Sequence, residues 1–192
     1  LDYFCKLVFD NLCKEIDAEI TDLTKPLSWY DVAQSMTEYK TDMNCDGSQN
    51  LYGLESIISS IESSSKLLIS GRSGSGKSVL MSQIYTSLKS RESIYPLLTL
   101  VGITSEVCIL NNILFLWIRD LEQKLSIEYT SDSVLEDERA YNKLYDRFYS
   151  LVDICSAKGI KIICLLDNFD SIAQEEYDLT KLLWLRGDID VV

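Results

Sequence analysis

The sequence contains no histidine. Imidazole general bases, Ser–His–Asp arrangements and His-containing zinc sites are therefore excluded, so any base is expected to be a carboxylate and any metal to be held through oxygen. Basic residues are scarce as well: 18 Lys and Arg stand against 30 Asp and Glu, a formal charge of −12. A broad nucleic-acid face needs clustered Lys and Arg against phosphates, and nucleic acid is not expected as a partner. No apolar run approaches the ~20 residues that span a bilayer, and no signal-peptide pattern opens the chain, so no membrane role is expected. None of the six cysteines (5, 13, 45, 108, 155 and 164) forms a C-x-x-C pair. Buried free thiols in a reducing compartment fit them best, which predicts a cytoplasmic location. There is no internal repeat and no extended low-complexity tract.

What is present is enough chain, 192 residues, for one α/β domain with a buried core. Over residues 1–20, Phe4, Val8, Leu12, Ile16 and Ile20 recur every four positions, predicting an amphipathic helix that docks on the core or on an upstream domain rather than on a membrane, because its polar face is mostly acidic. Residues 21–50 lack clear periodicity and read as a linker, with a short helix possible at "WYDVAQSM". From residue 51 to 192 helical and strand patterns alternate: helix at 53–65, strand at 66–70, helix at 77–90, strand at 95–102, helices at 110–125 and 140–159, strand at 160–167. Gly159 is placed to cap the second of those helices. Unbroken apolar runs such as "IKIICLLD" suit parallel strands buried on both faces, and the alternation implies a doubly wound parallel sheet. The acidic stretch at 131–138 reads as a solvated loop or helix start. A chain beginning at Leu1 and ending in the apolar "IDVV" is expected to be a piece of something longer.

The stretch "GRSGSGKS", Gly71 to Ser78, matches G-x-x-x-x-G-K-[ST] and lies between an apolar run and a periodic helix, the context that this phosphate-cradling loop requires. Gly71, Gly74 and Gly76 permit backbone bends that aim successive N–H groups at a phosphate, with the positive end of the following helix behind them. Gly71, Arg72, Ser73, Gly74, Ser75, Gly76, Lys77, Ser78 and Val79 are the expected nucleotide contacts. Lys77 reaches the β- and γ-phosphates, and the Ser78 hydroxyl serves Mg²⁺. The alternative is a Gly/Ser-rich turn that merely joins strand to helix. A second acid is wanted at the end of a neighbouring strand, and "IICLLDNFD" offers Asp167 as the Mg²⁺ partner, or else as a helix cap. Where hydrolysis is efficient this acid is often followed by Glu; here Asn168 comes next. Asp170 is then the remaining candidate catalytic base, with an N-cap for "SIAQEEY" as its other reading.

Taken together these segments resemble the STAND class of P-loop NTPases, in particular NACHT-like modules of the telomerase-associated-protein and nephrocystin type. "LYGLE" is similar to the family's glycine-arginine-glutamate box, "LLISGRSGSGKSVLM" to its phosphate loop, "LTLVGITSEVCILNNILFLWIRDL" to its second strand, Gly-x-Thr/Ser turn and leucine-rich helix, "IICLLDNFDSI" to its strand-acid segment, and "LLWLRGDIDVV" to its Leu-x-Trp-Leu-Pro segment. Leu54 stands where the box carries arginine, and Arg186 where proline is common. The resemblance implies a three-layer αβα P-loop NTPase fold with a parallel sheet, incomplete at its C-terminus and preceded by an N-terminal helix. It also implies bound ATP or ADP with Mg²⁺ and adenine near Leu51 to Gly53. A sensor strand and lid would lie beyond Val192, with protein partners or self-assembly through the missing domains. The expected function is a nucleotide-controlled switch with at most slow ATP hydrolysis; the alternative is an origin-recognition-like or other AAA-type motor.

Overall fold

The computed structural model describes residues 28–46, 53–63, 67–137, 140–172 and 190–191. The expected helix at 1–20, the Leu51–Tyr52 part of the box, Arg186 and the segment around it lie outside these. The chain divides into two compact units, Leu1–Val32 and Ala33–Val192. In the first, Ser28 and Asp31 form a capping box. The Asp31 N–H donates to Ser28 Oγ at 3.3 Å, and the Ser28 N–H donates to Asp31 Oδ2 at 3.3 Å, so each side chain satisfies the other's backbone donor. This box opens helix α1 (Trp29–Cys45), which occupies much of the stretch read as linker. Only Ala33 and Thr41 of α1 are buried, while Met36, Tyr39 and Met43 are exposed, which is why apolar periodicity did not announce its full length.

The second unit is mixed α/β. Helices α2 (Leu54–Ser63) and α3 (Lys77–Lys89) precede strand β1 (Ile94–Leu100); α4 (Leu110–Leu125) and α5 (Ala140–Ala157) lead to β2 (Lys161–Asp167), and β3 (Asp190–Val191) completes the described strands. The sheet order is β1-β2-β3 and both pairings are parallel, with Ile94 opposite Lys161 and Leu100 opposite Asp167. Pro96 has no N–H to give a ladder, and β1 carries it at the end of this strand order, where only one side needs pairing.

The period-two alternation of the strands distributes the helices over two faces. Ile94, Ile163 and Leu165 pack with Ile58 and Ile61 of α2 and Met81, Ile84 and Leu88 of α3, all buried. The intervening residues of β1 turn to α4: Tyr95 Oη donates to Asp120 Oδ1 at 2.6 Å, and Trp117 Nε1 donates to the buried Thr99 Oγ1 at 2.8 Å. Helix α5 packs on α4 and β2, with Trp117 and Phe148 rings 5.6 Å apart. Gly159, at φ 74°, terminates α5: its N–H bonds to Ser156 O, and the Ile160 N–H reaches Cys155 O, both at 2.9 Å. The glycine cap expected there is thus a Schellman motif. Cys45, Cys108, Cys155 and Cys164 form no disulfide; Cys155 and Cys164 are buried, and burial pushes the Cys155 thiol up.

Two charged groups inside this layer depend on particular partners. Glu122 is fully buried; its carboxylate accepts from Arg147 Nε and a terminal guanidinium nitrogen at 2.9 and 2.8 Å, from Thr130 Oγ1 at 2.6 Å and from the Thr130 N–H at 2.8 Å. The network ties α4 to α5 and to the loop between them. Removing one member of a buried, hydrogen-bonded ion pair leaves the other charge uncompensated at ~3–5 kcal/mol. Glu122→Ala is therefore expected to lower unfolding free energy by about 3 kcal/mol, measured by urea denaturation. Asp120 behaves differently: desolvation raises its carboxyl above the ordinary range against the Tyr95 hydrogen bond and the nearby Lys89 and Lys124, with Glu38 adding to the rise. A carboxyl that binds its proton more readily when folded favours folding as pH falls, and that contribution is lost as pH rises through its folded pKa. Asp120→Asn should accordingly stabilise the chain most at neutral pH. The advantage should shrink towards about pH 4, near the ordinary carboxylate value, as read from denaturation midpoints across pH.

Candidate functional site

The approach to the glycine loop differs from expectation. Residues 67–70, read as the end of a strand, belong to no strand in the structure. Their side chains still alternate, since Leu67 and Ile69 pack against the core formed by α2, α3 and the strands while Leu68 is 86% exposed. The physical reason is that a strand is defined by a neighbour's hydrogen bonds, and no described strand lies against this segment; alternation alone supplies only the facing.

The glycine loop itself has the backbone its sequence requires. Gly74 and Gly76 adopt φ of 76° and 87°, where an L side chain is strained, and the Ser75 N–H closes a turn on Arg72 O at 3.1 Å. Gly76 is the N-cap of α3 and provides no side-chain cap. Leu80 is the first residue of α3 whose N–H has a backbone acceptor, Gly76 O at 2.9 Å. The N–H groups of Lys77, Ser78 and Val79 find none among the described residues, and the first turn of α3 holds no acidic residue. A helix N-terminus left in this state carries a partial positive charge and free donors. Lys77 folds back over the loop, its ammonium donating to Gly71 O at 2.8 Å and Arg72 O at 3.1 Å. Three donors minus two leave one for another acceptor.

Ser78 is held through its backbone. Its carbonyl accepts from Ser82 Oγ at 2.9 Å, and Asn44 Nδ2 at the end of α1 donates to Ser82 Oγ at 3.0 Å and to Ser78 O at 3.5 Å. No sequence pattern marked Asn44 or Ser82; both depend on α1 meeting α3.

At the other part of the site, Asp167 ends β2 and is 8% exposed, yet its carboxylate makes no hydrogen bond or ion pair with a described residue. Asn168 comes next in the left-handed region, at φ 61° and ψ 40°, and its amide donates to Val101 O at 3.1 Å and Ser171 Oγ at 2.6 Å. Asp170 is exposed in the short 3-10 turn Phe169–Ser171. Its reading as the cap of "SIAQEEY" concerns a segment mostly outside the described residues. The structure thus gathers residues 71–79 into one turn and puts Asp167, Asn168 and Asp170 at one strand end. These sit on α3 and β2, which pack on each other, with no hydrogen bond joining the Asp167 carboxylate to the loop. Among the described residues no three cysteines or carboxylates assemble into a metal site.

No protein-family model, curated protein or solved structure matches the chain. The site must speak through its own geometry. Because nothing would obstruct a Cβ at Gly76, substitution there isolates the conformational cost. Gly76→Ala is expected to destabilise by ~1 kcal/mol, within the range for forcing an L residue into the left-handed region. Ser73→Ala in the same loop should change stability by less than ~0.5 kcal/mol, both read by chemical denaturation.

Proposed function

We propose that this chain is an ATP-binding, Mg²⁺-dependent P-loop NTPase module of three-layer αβα type, working as a nucleotide-held switch within a larger assembly. The observation that carries this reading is the glycine turn opening onto α3 with three N–H groups that find no backbone acceptor among the described residues, an acid-free first turn, and a lysine with one donor to spare. That combination suits a multiply charged phosphate group. A parallel sheet with helices on both faces is compatible with the fold.

The residues fit the ligand in a second respect. Mg²⁺ is commonly bound by one or two carboxylates together with phosphate oxygens, so it does not need a three-ligand protein cage. Asp167, nearly buried and without a described partner, and the Ser78 hydroxyl are the groups that would hold it. Bound there, the ion would neutralise phosphate charge. Gly71 to Val79 would orient the phosphates through their N–H groups, and Lys77 would exchange loop carbonyls for phosphate oxygen.

A switch is favoured over rapid turnover by the residues next to Asp167. Asn168 carries an amide, which is not a base, and Asp170 is exposed to solvent, so neither offers a preorganised base in a dry site. The ATP- and ADP-bound states would then differ in population according to their differential affinities. Protein partners and a cytoplasmic setting accompany the proposal; no described helix is long and apolar enough to cross a membrane.

Calorimetry provides the test. Lys77→Ala should weaken MgATP binding by at least about tenfold, since hydrogen bonds to charged groups contribute ~1.5–3 kcal/mol each. Asp167→Asn should raise the Mg²⁺ concentration needed for binding, and wild-type protein should release phosphate slowly in a single-turnover assay. Equal affinities of wild type and Lys77→Ala, or fast multiple turnover, would overturn the reading.

A further inference from the structure

The last register pair of the β1–β2 ladder is Leu100 opposite Asp167, but the hydrogen bonding continues one step further. The Val101 N–H donates to Asp167 O at 3.0 Å. The next rung of a parallel ladder would bring a backbone N–H from beyond residue 168 to Val101 O. Instead Asn168 has turned into the left-handed region, and its side-chain amide supplies that donor at 3.1 Å. The second amide hydrogen goes to Ser171 Oγ at 2.6 Å, and the Ser171 N–H returns to Asn168 O at 2.9 Å. Asparagine is one of the few residues that both tolerates this conformation and carries a donor of the right length. The packing is close: a Cβ at Gly102, itself at φ 81°, would stand 3.4 Å from Ser171 Cβ and 3.6 Å from Asn168 Nδ2.

We infer that Asn168 is a positioning residue: its amide completes the ladder rung that fixes the direction of the neighbouring Asp167 carboxylate, and so sets the affinity of the site for Mg²⁺. This rests on the nucleotide reading above and deepens it. Position 168 is the place where a water-orienting acid would stand in an efficient hydrolase, yet the Asn168 amide oxygen is not a base and both amide hydrogens are given to Val101 O and Ser171 Oγ. Its effect therefore falls on metal binding and not on the chemical step.

Two substitutions separate the backbone conformation from the amide. Asn168→Gly keeps the left-handed turn and removes the donors. Asn168→Asp keeps the shape and the turn but presents oxygen to Val101 O. In the full chain, Mg²⁺ would be titrated against a fluorescent ATP analogue, with analogue binding in EDTA and thermal unfolding measured in parallel. Both variants should raise the half-saturating Mg²⁺ concentration about fivefold, the loss of one neutral hydrogen bond of ~1 kcal/mol, with metal-free affinity within about twofold of wild type. Ser171→Ala, which removes one acceptor and no part of the turn, should shift it in the same direction by less and covers the case in which a variant at 168 does not fold. An unchanged Mg²⁺ requirement in folded variants would overturn the inference, as would slower hydrolysis at an unaltered Mg²⁺ requirement. In either case intact wild-type binding and its loss in Lys77→Ala would leave the nucleotide reading standing, whereas wild type that binds no nucleotide removes both.

Discussion

Two parallel strands cannot be joined by a tight turn; the chain must leave the sheet, cross it and return to the same end. That requirement governs the arrangement between Leu100 and Lys161. The return path is α4 and α5, which pack on each other and on the strands, while α2 and α3 cover the opposite face. With both faces covered, β2 is buried almost throughout and reads as a continuous apolar run. The same parallel register brings the C-terminal ends of β1 and β2 side by side, which is how Val101, Gly102, Asp167 and Asn168 become neighbours.

The crossover also explains where polar groups were admitted to the interior. Three such pairings serve the seam between α4 and its neighbours: Trp117 to Thr99 and Asp120 to Tyr95 join it to β1, and Glu122 to Arg147 and Thr130 joins it to α5 and the intervening loop. Apolar contacts alone would allow α4 to slide or rotate on the strand; hydrogen bonds of defined length fix one position. The glycine-loop side has the opposite character. Its polar groups are left open, with three N–H donors and one carboxylate lacking partners among the described residues. One side of the domain is internally satisfied, and the other keeps donors and a carboxylate without partners among the described residues.

Much of this was legible in the sequence where one element carries its own signal. Leu110, Ile113, Leu114, Trp117, Ile118 and Leu121 repeat at helical spacing and are all buried in α4. The apolar run at 160–167 is β2, and Gly159 ends the helix before it. The glycine loop was readable because its conformational demands are local. What escaped notice depends on pairs distant in the chain. Residues 67–70 alternate like a strand but have no described strand beside them. Glu122 stands among apolar residues and finds its reason in Arg147, one helix later. Asn168 looked like a missing catalytic acid, whereas its amide meets a carbonyl 67 positions earlier. The helix α1 was underestimated because its large apolar side chains face outward, and its contact with the loop runs through Asn44 and Ser82, neither part of any pattern.

The register of the sheet has a further consequence for the chain as it is made. Strand β1 leaves the ribosome well before Lys161, its first partner on β2, has been joined to the chain. At ~5–20 residues per second the delay is on the order of several seconds. During that time the described elements that the apolar residues of β1 can pack against are those already made, α2 and α3 among them, and the growing α4. The α4–α5 pair, whose contacts are closer in sequence, can assemble first and present a surface on which β2 lands as it is completed. The parallel β1–β2 ladder is thus a late event of synthesis, and until it closes β1 lacks the partner strand it has in the folded domain.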